Sequence, residues 1–411
     1  MRIWLVKDGE QLPVLEGARP QRIWLLAAEL ARRGHQVTWW SSTHSHQKKL
    51  CVSDQDGAYA IEPGFELRLL HAGGYQRNIS LGRVLHHLRL ARRFRQVARQ
   101  QPPPEMILCC HPIPALGLAS IELGRRHRLP VVIDIRDIWP DIFLRRVPLW
   151  AHPLVELLIW PWRQQARSIL RPASGLTAIS KGLLDWGLDY AGRPAGRFDR
   201  VFVHGYRHHD PASPGQAPEV LASLDDKTIF AFAGTIGGSY DVPFVIEVAR
   251  QLWQAGERRV HFLLAGLGEQ RELCLKKAEG LPNVSLPGWL ERDTLVSVLR
   301  RCQVGLLPWG DGHPDAMPNK PFEYMAAGLP ILSSCVGELE HLLEQQQLGF
   351  YYPAGDHQAL ARLVSRLTDQ PELRQAYAGR ARRAFEEQYN DQAVYGGFAD
   401  YLEELLRSKT Q

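Results

Sequence analysis

With 411 residues, 45% hydrophobic and 23% charged, the chain has an ordinary globular composition and enough length for two cores, since single domains run roughly 100 to 200 residues. No apolar run approaches the roughly 18 to 20 residues of a membrane-spanning helix; the longest, 154–162, contains Glu156 and Pro161. The net charge of +5 divides unevenly, because residues 1–205 carry 29 Lys and Arg against 17 Asp and Glu and the remainder carries 20 against 27, so the first half is expected to face an anionic surface or ligand.

Residues 1–7 run directly into Asp8, Glu10 and Glu16 without the basic segment and apolar core of a secretory leader, which predicts a cytoplasmic location. The six cysteines show no paired spacing and read as reduced core residues. With no Cys/His cluster at zinc spacing and no acidic calcium loop, neither a metal nor another cofactor is expected.

The chain opens with an apolar strand over 1–6, a loop containing Gly9 and Gly17, a helix over 21–33 and a strand over 36–40. Ile23, Leu26, Ala27, Leu30 and Ala31 recur at helical spacing, and Gly34 follows Arg32 and Arg33 as a stop. Such a unit builds parallel strands with a right-handed crossover. Strands over 106–110, 131–135 and 175–180, with a helix around 115–126, extend the series. Residues 208–218 then turn polar and rich in Pro, Ser and Gly, as a linker does. A second series follows, with strands over 228–233, 260–265, 284–286, 304–307 and 330–333. No period of 20 to 50 residues repeats, which excludes a solenoid or propeller. The fold class predicted is α/β, two Rossmann-like doubly wound domains facing across a cleft, with ligands at the carboxyl ends of the strands. The domains expected are 1–207 for an acceptor, a linker over 208–226, 227–385 for a nucleotide-sugar, and a helix over 386–411 that packs back on the first domain.

The most informative segment is Asp315-Ala-Met-Pro-Asn-Lys-Pro-Phe-Glu-Tyr-Met-Ala-Ala-Gly-Leu-Pro330. An Asp and a Glu eight positions apart, with a helix starting near Pro321, can reach two ends of one ligand, and amides at the helix entrance favour a phosphate between them. Ala233-Gly-Thr-Ile-Gly-Gly238 follows a strand, and Gly234, Gly237 and Gly238, with Thr235, would let a backbone approach a pyrophosphate. Gly266-Leu-Gly-Glu-Gln-Arg271 again follows a strand and opens a helix, a weak signal alone.

On these residues the chain resembles the retaining family-4 glycosyltransferases of GT-B fold, whose signature is two acids separated by seven residues ahead of an apolar helix ending in Gly-x-Pro, here Asp315, Glu323, Gly328 and Pro330. The resemblance implies that Glu323 binds the nucleotide ribose, that Asp315 contacts the donor sugar, and that the amides of Ala316 and Met317 hold the diphosphate. It also implies retention and metal independence. Relatives usually carry a Lys or Arg in or just after the first glycine loop, whereas 238–241 has none, which makes Lys320 or Arg271 the candidate for charge neutralisation. The stretch 283–290 is similar to the family segment that frames the base, which puts Gly288, Trp289 and Leu290 beside a uracil; Trp289 as a core residue is the alternative.

The Met-Pro-Asn-Lys loop and Arg136-Asp137-Ile-Trp-Pro140 are similar to the subgroup of O-antigen and capsule transferases acting on amino or deoxy sugars. In the first domain Glu16-Gly17-Ala18-Arg19 stands where many relatives carry a paired-glycine loop, which implies Gly17 as a backbone contact for donor phosphate. Arg19 and Arg22 either meet an acceptor phosphate or lie exposed. Arg136 or Asp137 stands where many relatives have a histidine; Asp137 either polarises the acceptor hydroxyl or braces the turn. His111, at a strand end, points into the expected cleft or is structural. Residues 44–104 carry the weakest resemblance, where acceptor recognition belongs.

Seven arginines over 77–99 accompany Leu81, Val84, Leu85, Leu88, Phe94 and Val97 at helical spacing, and Trp150, Trp160 and Trp162 stand near Arg145 and Arg146. A basic amphipathic helix with interfacial aromatics reads as a membrane-surface signal, with ordinary core helices as the alternative. The function expected is transfer of a sugar, UDP-linked in the favoured case and with an N-acetylated amino sugar as one candidate, to a saccharide or polyprenyl-diphosphate-linked acceptor in surface polysaccharide or O-antigen synthesis. The partners are the nucleotide-sugar donor, that acceptor and an anionic membrane at its inner face, without nucleic acid. The rivals are a sugar-nucleotide epimerase of the same fold, for which no pair of proton-transfer groups is evident, and a non-catalytic nucleotide-sugar-binding subunit.

Overall fold

The computed structural model describes residues 1–78, 80–207, 224–310 and 317–410. They form two compact units, Met1–Val203 with Val394–Gln411, and His204–Ala393.

The first unit runs β1 (Arg2–Val6), α1 (Arg22–Arg32), β2 (Gln36–Ser42), β3 (His44–Ser45), β4 (Leu50–Cys51), β5 (Gly57–Glu62), β6 (Phe65–Leu70), α2 (Leu81–Ala98), β7 (Met106–His111), α3 (Pro114–His127), β8 (Val131–Ile135), α4 (His152–Leu170), β9 (Gly175–Ala178), α5 (Lys181–Ala191) and β10 (Arg200–Val201). Eight strands pair in the order β10-β9-β8-β7-β1-β2-β6-β5, parallel except where β5 returns antiparallel on β6. The central strands β7, β8 and β9 are buried at every residue, as a parallel strand covered on both faces must be, while the edge strand β5 alternates between half-buried and exposed. The chain order reverses between β7 and β1, so the loops after these two strands open the crevice in which such sheets bind ligands.

One face of this sheet carries Trp4, Trp40, Leu90, Phe94, Ile133 and Ile169 in a core shared by α2 to α5. The other face packs Leu5, Ile23, Leu26 and Trp39 against Tyr395, Phe398, Tyr401, Leu402 and Leu405 of the C-terminal α13 (Asp391–Thr410). Phe202 stacks on Phe398 at 4.3 Å, Arg33 reaches Asp400 at 2.5 Å, and His35 reaches Glu403 at 3.0 Å. Each fully buried apolar side chain among these is worth roughly 1.5–3 kcal/mol, which holds the C-terminal helix to this unit.

The second unit runs β11 (Thr228–Ala233), α6 (Val242–Gln254), β12 (Val260–Ala265), α7 (Arg271–Ala278), β13 (Val284–Gly288), α8 (Arg292–Arg301), β14 (Val304–Leu307), α9 (Lys320–Ala326), β15 (Ile331–Ser333), α10 (Glu338–Gln345), β16 (Gly349–Tyr351), α11 (His357–Asp369) and α12 (Pro371–Ala384). Its six parallel strands take the order β13-β12-β11-β14-β15-β16, reversing between β11 and β14. Phe230, Phe232, Phe262, Val245 and Val364 fill the core on one face. Both units are therefore doubly wound and Rossmann-like. The expected linker falls largely on 208–223, outside the described residues.

Two features of the first unit depart from the sequence reading. Strand β2 continues past Trp40 to Ser42, and residues 44–70 form two antiparallel pairs, β3 with β4 and β5 with β6. Cys51 is half-buried, whereas the other five cysteines are buried. Among the described residues no helix is long and apolar enough to cross a membrane.

Candidate functional site

In the second unit the loops leaving β11, β12 and β13 run side by side. Gly234 N donates to Ala265 O at 2.9 Å, Ile236 N to Leu267 O at 2.9 Å, and Gly266 N to Gly288 O at 2.7 Å. The approach demands glycine, since a Cβ on Gly266 would overlap Gly234 O and one on Gly268 would overlap Ile236 O. Gly234, Thr235, Gly237, Gly238, Gly288, Trp289 and Leu290 are thus brought together at the carboxyl ends of three strands. Glu269 lies over this surface and accepts from Gly238 N at 3.3 Å, placing a carboxylate on an amide suited to a phosphate oxygen.

Lys320 opens α9 and reaches back to the first of these loops. Its ammonium lies 4.5 Å from the Tyr240 ring centre and 5.6 Å from that of Phe232, and a Cβ on Gly234 would overlap its Cε and Nζ. Burial lowers the Lys320 ammonium below the usual lysine range, with the nearby Glu323 carboxylate opposing the shift. A phosphate placed against it would favour the charged form. Arg271 opens α7 with its guanidinium 3.9 Å from where a Cβ on Gly288 would sit, and its buried Nε has no partner. Lys320 and Arg271 therefore stand at opposite ends of the glycine surface.

Glu323 follows one turn after Lys320 and accepts from the Tyr206 hydroxyl at 3.4 Å. Tyr324 locks the helix, donating to Leu306 O at 2.9 Å while accepting from Ala233 N at 3.3 Å. Met317 is buried. The helix has only seven residues and begins at Lys320, one position before the expected start. Asp315 and Ala316 lie outside the described residues. Trp289 is 57% exposed, with Nε1 donating to Glu291 at 3.0 Å, which removes the core alternative. Tyr206 and Tyr240 join the site without having been singled out by any motif, and Glu269 joins it from within the Gly266–Arg271 stretch, where it had been given no role.

In the first unit several assignments are corrected. Arg22 is neither exposed nor free for an acceptor: its guanidinium forms a two-pronged pair with Asp134 at 2.9 and 3.0 Å and donates to the carbonyls of Phe202 and Val203. Arg136 is likewise engaged, pairing with Glu10 and, at 3.0 Å, with Asp134. Burial alone would raise the Asp134 carboxyl, but the Arg22 and Arg136 guanidiniums outweigh it and hold it well below the carboxylate range. Glu10 also accepts from Ile23 N at 3.0 Å, so this network fixes the start of α1. His111 is buried and bonded through Nε2 to Trp139 O at 3.0 Å, as the structural alternative expects, and burial holds it down to about 4. Asp137 is half-buried in the bend after β8, one residue from this network. Gly17 has φ +71 with open space around it, and Arg19 donates its amide to Gln11 at 2.6 Å.

Two family models match. Residues 21–202 match "Glycosyltransferase Family 4", and residues 227–370 match "Glycosyl transferases group 1". The chain is 27% identical over 259 residues to the alpha-D-kanosaminyltransferase of Streptomyces kanamyceticus, covering 62% of this chain and 65% of that protein. It is 31% identical over 166 residues to the amylovoran biosynthesis glycosyltransferase AmsK of Erwinia amylovora, covering 39% of this chain and 40% of the relative. The chain thus spans less than two thirds of the length of both. Among solved structures, HepE of Anabaena in complex with UDP superposes with a TM-score of 0.68 at 14% identity, covering 98% of this chain and 100% of that one.

Proposed function

The chain belongs to glycosyltransferase family 4 and has the GT-B fold, and on that premise we propose that it transfers a sugar from a UDP-sugar to a hydroxyl of a saccharide acceptor, with retention at the anomeric carbon. The observation that carries this reading is the meeting of Lys320 with the glycine surface of Gly234 to Gly238, one turn from Glu323. An ammonium in a desolvated setting beside bare backbone amides stabilises the charge that a departing diphosphate develops, because such groups are strengthened by low dielectric and need no reorganisation. Glu323 accepts the ribose hydroxyls, Arg271 adds charge at the far end of the surface, Trp289 and Leu290 frame the base, and no resident metal takes part. UDP is favoured because HepE, which shares the fold, was solved with it. Transfer of an N-acetylated amino sugar is supported by the Arg136-Asp137-Ile-Trp-Pro140 stretch, and polysaccharide assembly by the relative named for amylovoran biosynthesis. Asp137 is the group proposed to polarise the acceptor hydroxyl, and Gly17 and Arg19, in the chain's first loop, are proposed as contacts for the donor phosphate and the acceptor.

The experiment is UDP release from UDP-sugars, without and then with a lipid-linked saccharide. Acceptor-dependent release is expected, and Glu323→Ala and Lys320→Ala should each lower turnover by at least about a hundred-fold in a folded protein. Sugar interconversion without release would point to an epimerase, and tight binding without turnover to a non-catalytic subunit.

The acceptor is proposed to be a polyprenyl-diphosphate-linked saccharide reached at an anionic membrane surface. Leu149, Trp150, Leu154, Leu157, Leu158 and Trp160 are exposed on and just before α4, and Leu81, Val84, Leu85 and Leu88 on α2. Helix α3 packs on both α2 and α4, so the two apolar stripes flank it. Patches of this kind beside the arginines of α2 suit an interface of apolar chains and anionic headgroups. The full chain should float with vesicles containing phosphatidylglycerol at low salt, where surface electrostatics are strongest; sedimentation in every fraction would remove this part of the reading.

A further inference from the structure

The side chains beyond the carboxyl end of β2 do not belong to the donor site. His46 Nδ1 lies 2.6 Å from the Tyr75 hydroxyl, and Lys49 Nζ lies 3.5 Å from the same imidazole nitrogen and 2.5 Å from Asn78 Oδ1. Arg83 donates through Nη1 to Asn78 O at 2.9 Å. The Lys49 ammonium and the Arg83 guanidinium sit 5.0 and 5.8 Å from the Tyr75 ring centre. Three basic side chains thus converge around one buried tyrosine.

Among the described residues none of them has a counterion. Among the described residues no carboxylate pairs with Lys49 or Arg83, and the nearby Asp8 is committed elsewhere: it accepts from Ser42 Oγ at 2.6 Å and Ser42 N at 3.1 Å, and faces His86 Nε2 at 3.3 Å. Two buried polar atoms have no hydrogen-bond partner among the described residues, Nε of Arg83 and Nε2 of His44, whose ring centre lies 4.4 Å from that of Tyr75. An unpaired buried donor costs roughly 1–3 kcal/mol, so its persistence asks for a ligand. Helix α2 adds its N-terminus, with no acid in the first turn.

We propose that His46, Lys49 and Arg83, framed by Tyr75 and Asn78, form an anion site in the first unit that binds a phosphate or diphosphate group of the acceptor. This rests on the transferase reading and adds to it the place where the acceptor is anchored. The site lies just past the carboxyl end of β2, on the side of the sheet where open α/β folds bind ligands. It also adjoins the exposed Leu81, Val84, Leu85 and Leu88, so a phosphate held here would lie at a boundary between charge and apolar surface. The electrostatics agree. Burial, then Lys49 and Arg83, hold His46 down to about 4; burial, with Arg83 and His86, holds His87 to about 4 against Asp8; and burial, with Arg83, lowers Lys49.

The test reads His46 directly in the full chain, by NMR titration of its imidazole with and without inorganic diphosphate. An anion seated between His46, Lys49 and Arg83 should move the His46 midpoint from about 4 upward by at least about one pH unit. Lys49→Ala and Arg83→Ala should each weaken this response about ten-fold or more in diphosphate concentration, whereas Lys48→Ala, on the same loop, should not. Lys320→Ala separates the two readings: it should abolish UDP release and leave the His46 response intact. A midpoint that does not move, or a response lost with Lys320→Ala and retained with Lys49→Ala, overturns the proposal. Vesicles of zwitterionic lipid carrying a polyprenyl diphosphate identify the source. A His46 response to them assigns a lipid-borne group, a response to free diphosphate alone assigns a water-soluble phosphate ester, and a response to neither overturns the site.

Discussion

The Lys320 ammonium occupies the space that a side chain on Gly234 would fill, so a lysine at 320 and a glycine at 234 depend on each other across 86 positions of chain. A basic residue carried by the glycine loop itself would neutralise a diphosphate from one side. Here the charge arrives from the helix after β14 and requires the loop to be bare.

Gly234→Ala is therefore expected to act through Lys320. The new methyl group displaces the ammonium from its seat on Tyr240 and Phe232, and UDP affinity should fall about ten-fold. Calorimetry of the double-mutant cycle checks the route: in a Lys320→Ala background the same substitution should cost little, because coupled residues are non-additive. Full additivity would show that the alanine harms the loop by itself.

The second expectation concerns pH. Burial lowers the Lys320 ammonium, so the charge proposed to hold UDP is present in acid and lost, as pH rises, earlier than an ordinary lysine would lose it. Stability moves the other way: between the lowered folded value and the ordinary one the unfolded chain binds more protons, and stability rises with pH. UDP affinity measured from pH 7 to 10 should decline on the alkaline side in the native chain, and Lys320→Arg, charged throughout, should flatten that decline. An identical profile in both would separate the alkaline limb from this residue.

The strands of both units were legible because buried parallel strands are near-continuous apolar runs, and β8, β11, β12 and β14 have the bounds that hydropathy predicted. Residues 44–70 were not legible, because β3 and β4 are two residues each and β5 alternates at an edge, leaving short patterns without a helical or fully buried signature. The glycine loops after β11 and β12 shared one local cause, a strand followed by glycines, and so could be read from spacing. The position of Lys320 over Gly234 could not, since only the fold brings α9 against the loop after β11. Arg22 shows the converse. A charge at the start of a helix reads as exposed until Asp134, 112 residues away, is found facing it.

The Arg22–Asp134 pair predicts a stability effect with no change at the nucleotide surface. Both side chains are buried, at 1% and 0% exposure, and removing one leaves the other uncompensated. Arg22→Met should therefore cost about 3–5 kcal/mol, while Arg22→Lys, which keeps the charge and loses the fork, should cost less. Nine of the twelve tryptophans lie in the first unit, so urea unfolding followed by tryptophan fluorescence reports chiefly on it. UDP binding below the transition should be unchanged. Equal stability of Arg22→Met and the native chain would mean that Arg136 and Thr177, whose hydroxyl donates to Asp134 at 2.8 Å, satisfy the carboxylate unaided.

His111 carries the acid side of the stability profile. Burial lowers its imidazole from the ordinary 6.5 to about 4, so between these values the unfolded chain holds a proton that the folded chain does not. Stability is whole above the ordinary histidine value and falls as pH drops toward 4. Moving from pH 7.5 to 5 should remove about 2 kcal/mol through this one residue. His46, His87 and His261 are lowered to about 4 as well and add losses of the same sign, so only a difference between variants isolates His111. His111→Gln keeps a donor for Trp139 O and cannot titrate. It should be the less stable protein at pH 7.5 and should lose less on acidification, measured as urea midpoints at both pH values. A loss equal to that of the native chain would mean that the imidazole is reached by water before the unit unfolds, and that its burial contributes nothing to the acid response.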